Sequence, residues 1–149
     1  MVKEPDNDIP SIAESMIQEG NRTEAEIILK NFVSKMTSDW KPMTRSSTTI
    51  DIAYWSMEEF LHHTTYFAQN TDQTTVVWKA PSYSKALYLL AFIYVEREDW
   101  LKAMMYIDRA IKLEPDHPLI LCEKALILSR LAYHQDAYDL FMKAFEARP

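Results

Sequence analysis

Residues 86–149 read ALYLLAFIYVEREDWLKAMMYIDRAIKLEPDHPLILCEKALILSRLAYHQDAYDLFMKAFEARP, and laid over themselves at an offset of 34 positions they fall into register. Leu87 lands on Leu121, Ala91 on Ala125, Ala103 on Ala137, Ala110 on Ala144 and Pro115 on Pro149. Ile107 meets Phe141 and Tyr94 meets Leu128, so small residues fall on small ones and large on large, the mark of an internal repeat. Each unit has one apolar stretch at helical spacing, a short polar break, and a second helical stretch ending at proline. Alanine recurs where two helix axes approach closely, and proline stops the second helix because it has no N–H to continue it. The unit is a helical hairpin.

The 34-residue period and these positions resemble tetratricopeptide repeats. That family places small residues where Ala91, Ala103 and Ala110 stand, large ones where Tyr94 and Ile107 stand, and proline at Pro115. The next unit matches through Ala125, Leu128, Ala137, Phe141, Ala144 and Pro149. Two positions depart: Leu87 and Leu121 replace the usual tryptophan, and Lys124 replaces a usual leucine. The resemblance implies an all-α fold, helical hairpins in a short right-handed superhelix, here with an extra inserted helix.

Working outward, Ile12, Ala13, Met16 and Ile17 share a short helical face, Gly20-Asn21 supplies a turn, and Ala25, Ile28, Leu29, Phe32 and Val33 follow at helical spacing. Placing Ala25 on Ala103 puts Ala13 on Ala91 and Leu29 on Ile107, with Phe32 on Ala110 as the misfit. One domain over 1–149 follows, divided into a degenerate repeat at 6–39, an insertion at 40–83, and repeats at 84–117 and 118–149. Within the insertion, Ile52, Ala53, Trp55, Met57, Phe60, Leu61 and Phe67 suggest a helix near 51–69, after a loop rich in Ser and Thr. Thr74 to Trp78, β-branched and aromatic, suits an extended segment. Internal packing is the expected fate of Tyr54, Trp55, Phe60, Tyr66 and Phe67, because large apolar side chains are normally buried.

Composition narrows the function classes. The chain has 149 residues, 48% of them hydrophobic, enough for a core, and its one glycine argues against many tight β-turns. A net charge of −6 repels a phosphate backbone, so nucleic acid is not the expected partner. No apolar run approaches the ~20 residues of a membrane span, and the N-terminal residues MVKEPDNDIP lack the apolar core of a signal peptide. The expectation is a cytoplasmic protein with a buried, inert Cys122.

The search for chemistry is mostly negative: there is no glycine-rich phosphate loop, cysteine-pair metal signature or serine elbow. His62 and His63 are neighbours, pointing about 100° apart on a helix, and Glu58 with His62 at i, i+4 makes only two ligands. His117 and His134 read as turn and surface residues, and no metal or cofactor is expected. A metal-dependent regulator or enzyme on residues 58–63 is the rival from another class.

Binding is the stronger expectation. The resemblance implies a concave groove lined by the first helix of each hairpin, at Lys85, Tyr88, Phe92, Val95 and Glu96, then Leu119, Cys122, Leu126, Ser129 and Arg130. The carboxylate-gripping basic residues of one class of these repeats are absent: Pro10, Glu14, Tyr88 and Cys122 stand there. The groove therefore suits an apolar or amphipathic segment of another protein, unless the insertion fills it. Tyr138, Phe141, Met142 and Phe145 form an apolar outer face, implying a further repeat, a partner or a homodimer. The expected role is a non-enzymatic adaptor or chaperone, in general form also similar to small bacterial secretion chaperones and toxin-neutralising proteins.

Overall fold

The structure is a computed structural model that describes residues 8–37, 39–45, 49–56, 58–59, 61, 75–79 and 82–147. It is mostly helical. Six helices can be bounded among the described residues: α1 (Ile9–Gln18), α2 (Arg22–Ser34), α3 (Tyr83–Glu96), α4 (Trp100–Leu113), α5 (Pro118–Arg130) and α6 (His134–Ala147). Consecutive helices pair as α1 with α2, α3 with α4 and α5 with α6; α2 then packs on α3 and α4 on α5. Contacts of α3 with both α1 and α5 set these three side by side in one layer.

The three helix pairs are joined by the same turn. Each has three linking residues with a left-handed middle one: Gly20 at φ 89°, Glu98 at φ 60° and Ala132 at φ 70°. The N–H after it reaches back five residues, from Asn21 to the Met16 carbonyl, Asp99 to Tyr94 and Tyr133 to Leu128. This is the Schellman cap, which satisfies carbonyls that a helix end leaves open. Helix starts are equally explicit: the Ser82 side chain accepts the Lys85 N–H, and the Asp99 carboxylate accepts that of Lys102. At α5 the Nδ1 of His117 accepts the Leu119 N–H ahead of Pro118 in the first turn.

Alanine sits where the helices cross, at Ala13, Ala25, Ala91, Ala103, Ala125 and Ala137, all buried. Around α3 the core gathers Leu87, Leu90 and Ile93 with Leu29 of α2, Ile107 of α4 and Ile120 and Ile127 of α5. Burying side chains of this size is worth roughly 1.5–3 kcal/mol each, and α3 carries more of them than its neighbours.

The insertion differs from the single helix expected near 51–69. It holds a three-stranded sheet in the order β1 (Met43–Arg45), β2 (Thr49–Ile52), β3 (Thr75–Trp78), with β2 antiparallel to β1 and parallel to β3. The extended segment expected at 74–78 thus finds partners that local periodicity did not reveal. Asp51 and Ile52 are strand because β-branched Thr49, Ile50 and Ile52 fit a pleated, half-buried surface. Glu58, Glu59 and Leu61 are helical, while 62–74 lie outside the described residues.

Candidate functional site

The layer formed by α1, α3 and α5 presents the face on which the expected groove residues stand. Its two ends differ, and the insertion is the reason. After β2 the chain delivers Ala53, Tyr54 and Trp55, all buried. The Trp55 ring stacks on His117 at 3.9 Å and leans on Tyr88 at 5.0 Å, and its indole N–H donates to Glu114 Oε2 at 3.1 Å. Ser84 donates to the same carboxylate oxygen. Trp55 therefore wedges between the start of α3 and the start of α5, and fills that end of the layer.

Lys85 lies beneath this plug. Its side chain is 3% exposed and its ammonium donates to the Trp55 carbonyl at 2.8 Å and Ser11 Oγ at 3.3 Å, with Glu14 Oε1 also at 3.3 Å. The expectation of an open groove lysine gives way to an internal brace, because burial of an ammonium is tolerated only with such partners. His117 likewise differs from the surface residue expected. It is buried under Trp55, with Nε2 3.6 Å from Glu59 Oε2.

The rest of the face is less completely covered. Phe92 and Val95 of α3 and Leu126 and Ser129 of α5 are half-buried, while Glu96, Leu119 and Arg130 are exposed. Glu96 pairs with Arg22 at 2.9 Å. Burial raises the Cys122 thiol above its usual range, helped by the charge of Glu123, so this half-buried cysteine holds little thiolate. Burial, with Glu123, Glu14 and Cys122 around it, pushes the Tyr88 phenol up to about 12.

Sequence reasoning missed the most unusual member. Glu123 is only 9% exposed, and its Oε1 has no hydrogen-bond partner among the described residues. Burial, then repulsion by Glu96, pushes its carboxyl up to about 7. A signal was present: Glu123 stands 34 residues after Leu89, which is buried, so a carboxylate occupies a register built for a core leucine. Lys124, the departure noted beside it, turns to Asp108 of α4 at 2.8 Å.

On α6, Tyr138, Phe141, Met142 and Phe145 are exposed, Phe145 to 81%. Phe141 is 42% exposed where its counterparts Leu29 and Ile107 are fully buried, since no helix packs beyond α6 among the described residues. His62 and His63 lie outside the described residues, Glu58 is exposed, and among the described residues no three metal-binding side chains cluster. No described helix is long and apolar enough to cross a membrane. No protein-family model matches the chain, and no curated protein is significantly similar to it.

Proposed function

We propose that this chain is a tetratricopeptide-like adaptor or chaperone, cytoplasmic and non-enzymatic, that holds a segment of another protein against α1, α3 and α5. The observation that carries the reading is the part of that face where Phe92, Val95 and Leu126 stand only partly covered beyond the Trp55 plug. Three helix pairs with identical turns make a rigid layer for a groove, and aromatic side chains there are suited to anchoring a bound segment. The plug shortens the groove, so the segment occupies the side running from Tyr88 to Glu96.

A photo-crosslinking residue placed at Phe92, and separately at the exposed Lys112 on α4, tests this in the native cell. A partner captured from position 92 and not from 112, whose purified form binds with an affinity weakened by more than ~1 kcal/mol in Phe92→Ala, supports the groove. Crosslinks from neither position, or equal crosslinks from both, refute it.

A second reading rests on the outer face of α6: self-association through Tyr138, Phe141, Met142 and Phe145. Sedimentation of the purified protein should then show a dimer that Phe145→Glu converts to monomer. A monomer at every concentration removes this reading.

A further inference from the structure

Glu123 is a carboxylate that nothing within the described fold requires. It sits at a core register on α5, more than nine-tenths buried, with one oxygen unpartnered among the described residues. The Glu96 charge acts on it and its own charge acts on the Tyr88 phenol, both partners lying on α3, the helix that packs against α5. Tyr88, Phe92 and Glu96 are spaced four apart and form one stripe along α3.

Two neighbouring carboxylates are already balanced. Glu14 is paired with Lys85 at 3.3 Å, and Glu96 with Arg22 at 2.9 Å. Glu123 has no such cation among the ion pairs of the described residues. A buried carboxylate without a counter-charge is expensive, and the expense has been met on folding, before any ligand arrives. A cation reaching Glu123 gains the attraction of the ionised form and draws the carboxyl, which stands at about 7, towards that form, while adding little new desolvation of the protein. The aromatic stripe adds favourable ring faces for the same charge.

Resting on the groove reading above, we infer that Glu123 is the receptor for a single lysine or arginine side chain of the bound segment, seated between α3 and α5 beside Tyr88 and Phe92. The segment is thus basic and amphipathic: one cation enters the cleft while apolar neighbours cover Val95 and Leu126. Specificity follows from the cost of leaving Glu123 unpaired beneath a covering segment, which disfavours a purely apolar or acidic ligand. Charge complementarity also favours a basic partner at longer range, because the chain carries a net charge of −6.

The test is selection of displayed random 12-residue peptides on the full chain, counter-selected on Phe92→Ala. Selected peptides should concentrate Lys or Arg at one position. Changing that residue to norleucine should weaken binding at least 10-fold on the native chain and less than 2-fold on Glu123→Gln, an isosteric change that removes only the charge. Peptides that depend on Phe92 but show no basic preference, or whose norleucine versions lose equally on both proteins, overturn the inference and leave the groove reading standing. Selection yielding no Phe92-dependent peptide overturns both.

Discussion

Two carboxylates beside α3 have opposite fates. Glu26 of α2 lies in the seam between α2 and α3, and Glu123 of α5 in the seam between α3 and α5. Glu26 accepts from Tyr94 Oη at 2.5 Å, Arg97 at 2.6 Å and Lys30 at 2.9 Å. Burial alone would raise its pKa, yet the hydrogen bonds from Tyr94, Lys30 and Arg97 and the Arg97 charge hold it at about 2. Glu123 has neither donor nor cation among the described residues and stands at about 7. Desolvation acts in the same direction at both sites. The difference lies in the partners, which is why the first seam reads as architecture and the second as a place kept for something else.

Both seams depend on α3 being held at its start, so the largest expected effect lies there. Trp55→Ala removes the wedge from between Tyr88 and His117, and leaves the Glu114 carboxylate short of a donor. It should destabilise the fold by about 3–5 kcal/mol in urea unfolding. A loss below ~1 kcal/mol would show that the plug merely rests on the layer.

Next in size is Glu26→Ala, which strips the acceptor from Tyr94, Arg97 and Lys30 together. A charged hydrogen-bonded group of this kind, with partners partly in water, contributes roughly 1.5–3 kcal/mol. The linkage has a definite sign. Because the Glu26 pKa is depressed in the fold, its contribution is complete above about pH 4.5 and disappears as pH falls towards about 2. The variant should therefore differ most from the native chain near neutrality and converge with it in acid.

Glu123 should show the reverse. Its pKa is raised in the fold, so it contributes no penalty below about pH 4.5, an increasing one as pH rises to about 7, and a constant one above. Glu123→Gln should be more stable than the native chain at pH 8 by about 1–2 kcal/mol, once water access to the cleft is allowed for, and equal to it at pH 4. Equal stability at pH 8 would mean that the carboxylate already has a counter-charge, and the contrast with Glu26 would collapse.

Much of this fold was legible from the period alone. The alignments that laid Ala25 on Ala103, at an offset of 78, and Ala103 on Ala137, at 34, also lay Gly20 on Glu98 and Glu98 on Ala132, and these are the three left-handed turn residues. Only the glycine announces its turn in the sequence, because the cap is built from backbone groups. The sheet was not legible, since β2 and β3 pair across an intervening stretch and neither is stable alone. The burial of Lys85 is illegible for a similar reason: it depends on where Trp55 arrives from a distant segment. Glu123 could have been found by noticing acid in the place of Leu89.

The smallest expected effects come from the left-handed residues of those turns. A left-handed conformation costs an L-residue roughly 1–2 kcal/mol, against roughly 0.5–1 kcal/mol of extra chain freedom that glycine loses on folding. Ala132→Gly, in the turn after α5, should therefore stabilise by about 0.5 kcal/mol, and Glu98→Gly by a similar amount. Gly20→Ala should destabilise by about 1 kcal/mol; since a Cβ there would meet no atom within 4 Å, the loss is conformational and not steric. Hydrogen exchange at the Tyr133 amide, which closes the last cap on the Leu128 carbonyl, reads the effect locally. Slower exchange in Ala132→Gly, with the pH dependence of Glu123 unchanged, would separate the rigidity of the turn after α5 from the charge of Glu123. Faster exchange would mean that the turn is held by its neighbours and carries no conformational strain of its own.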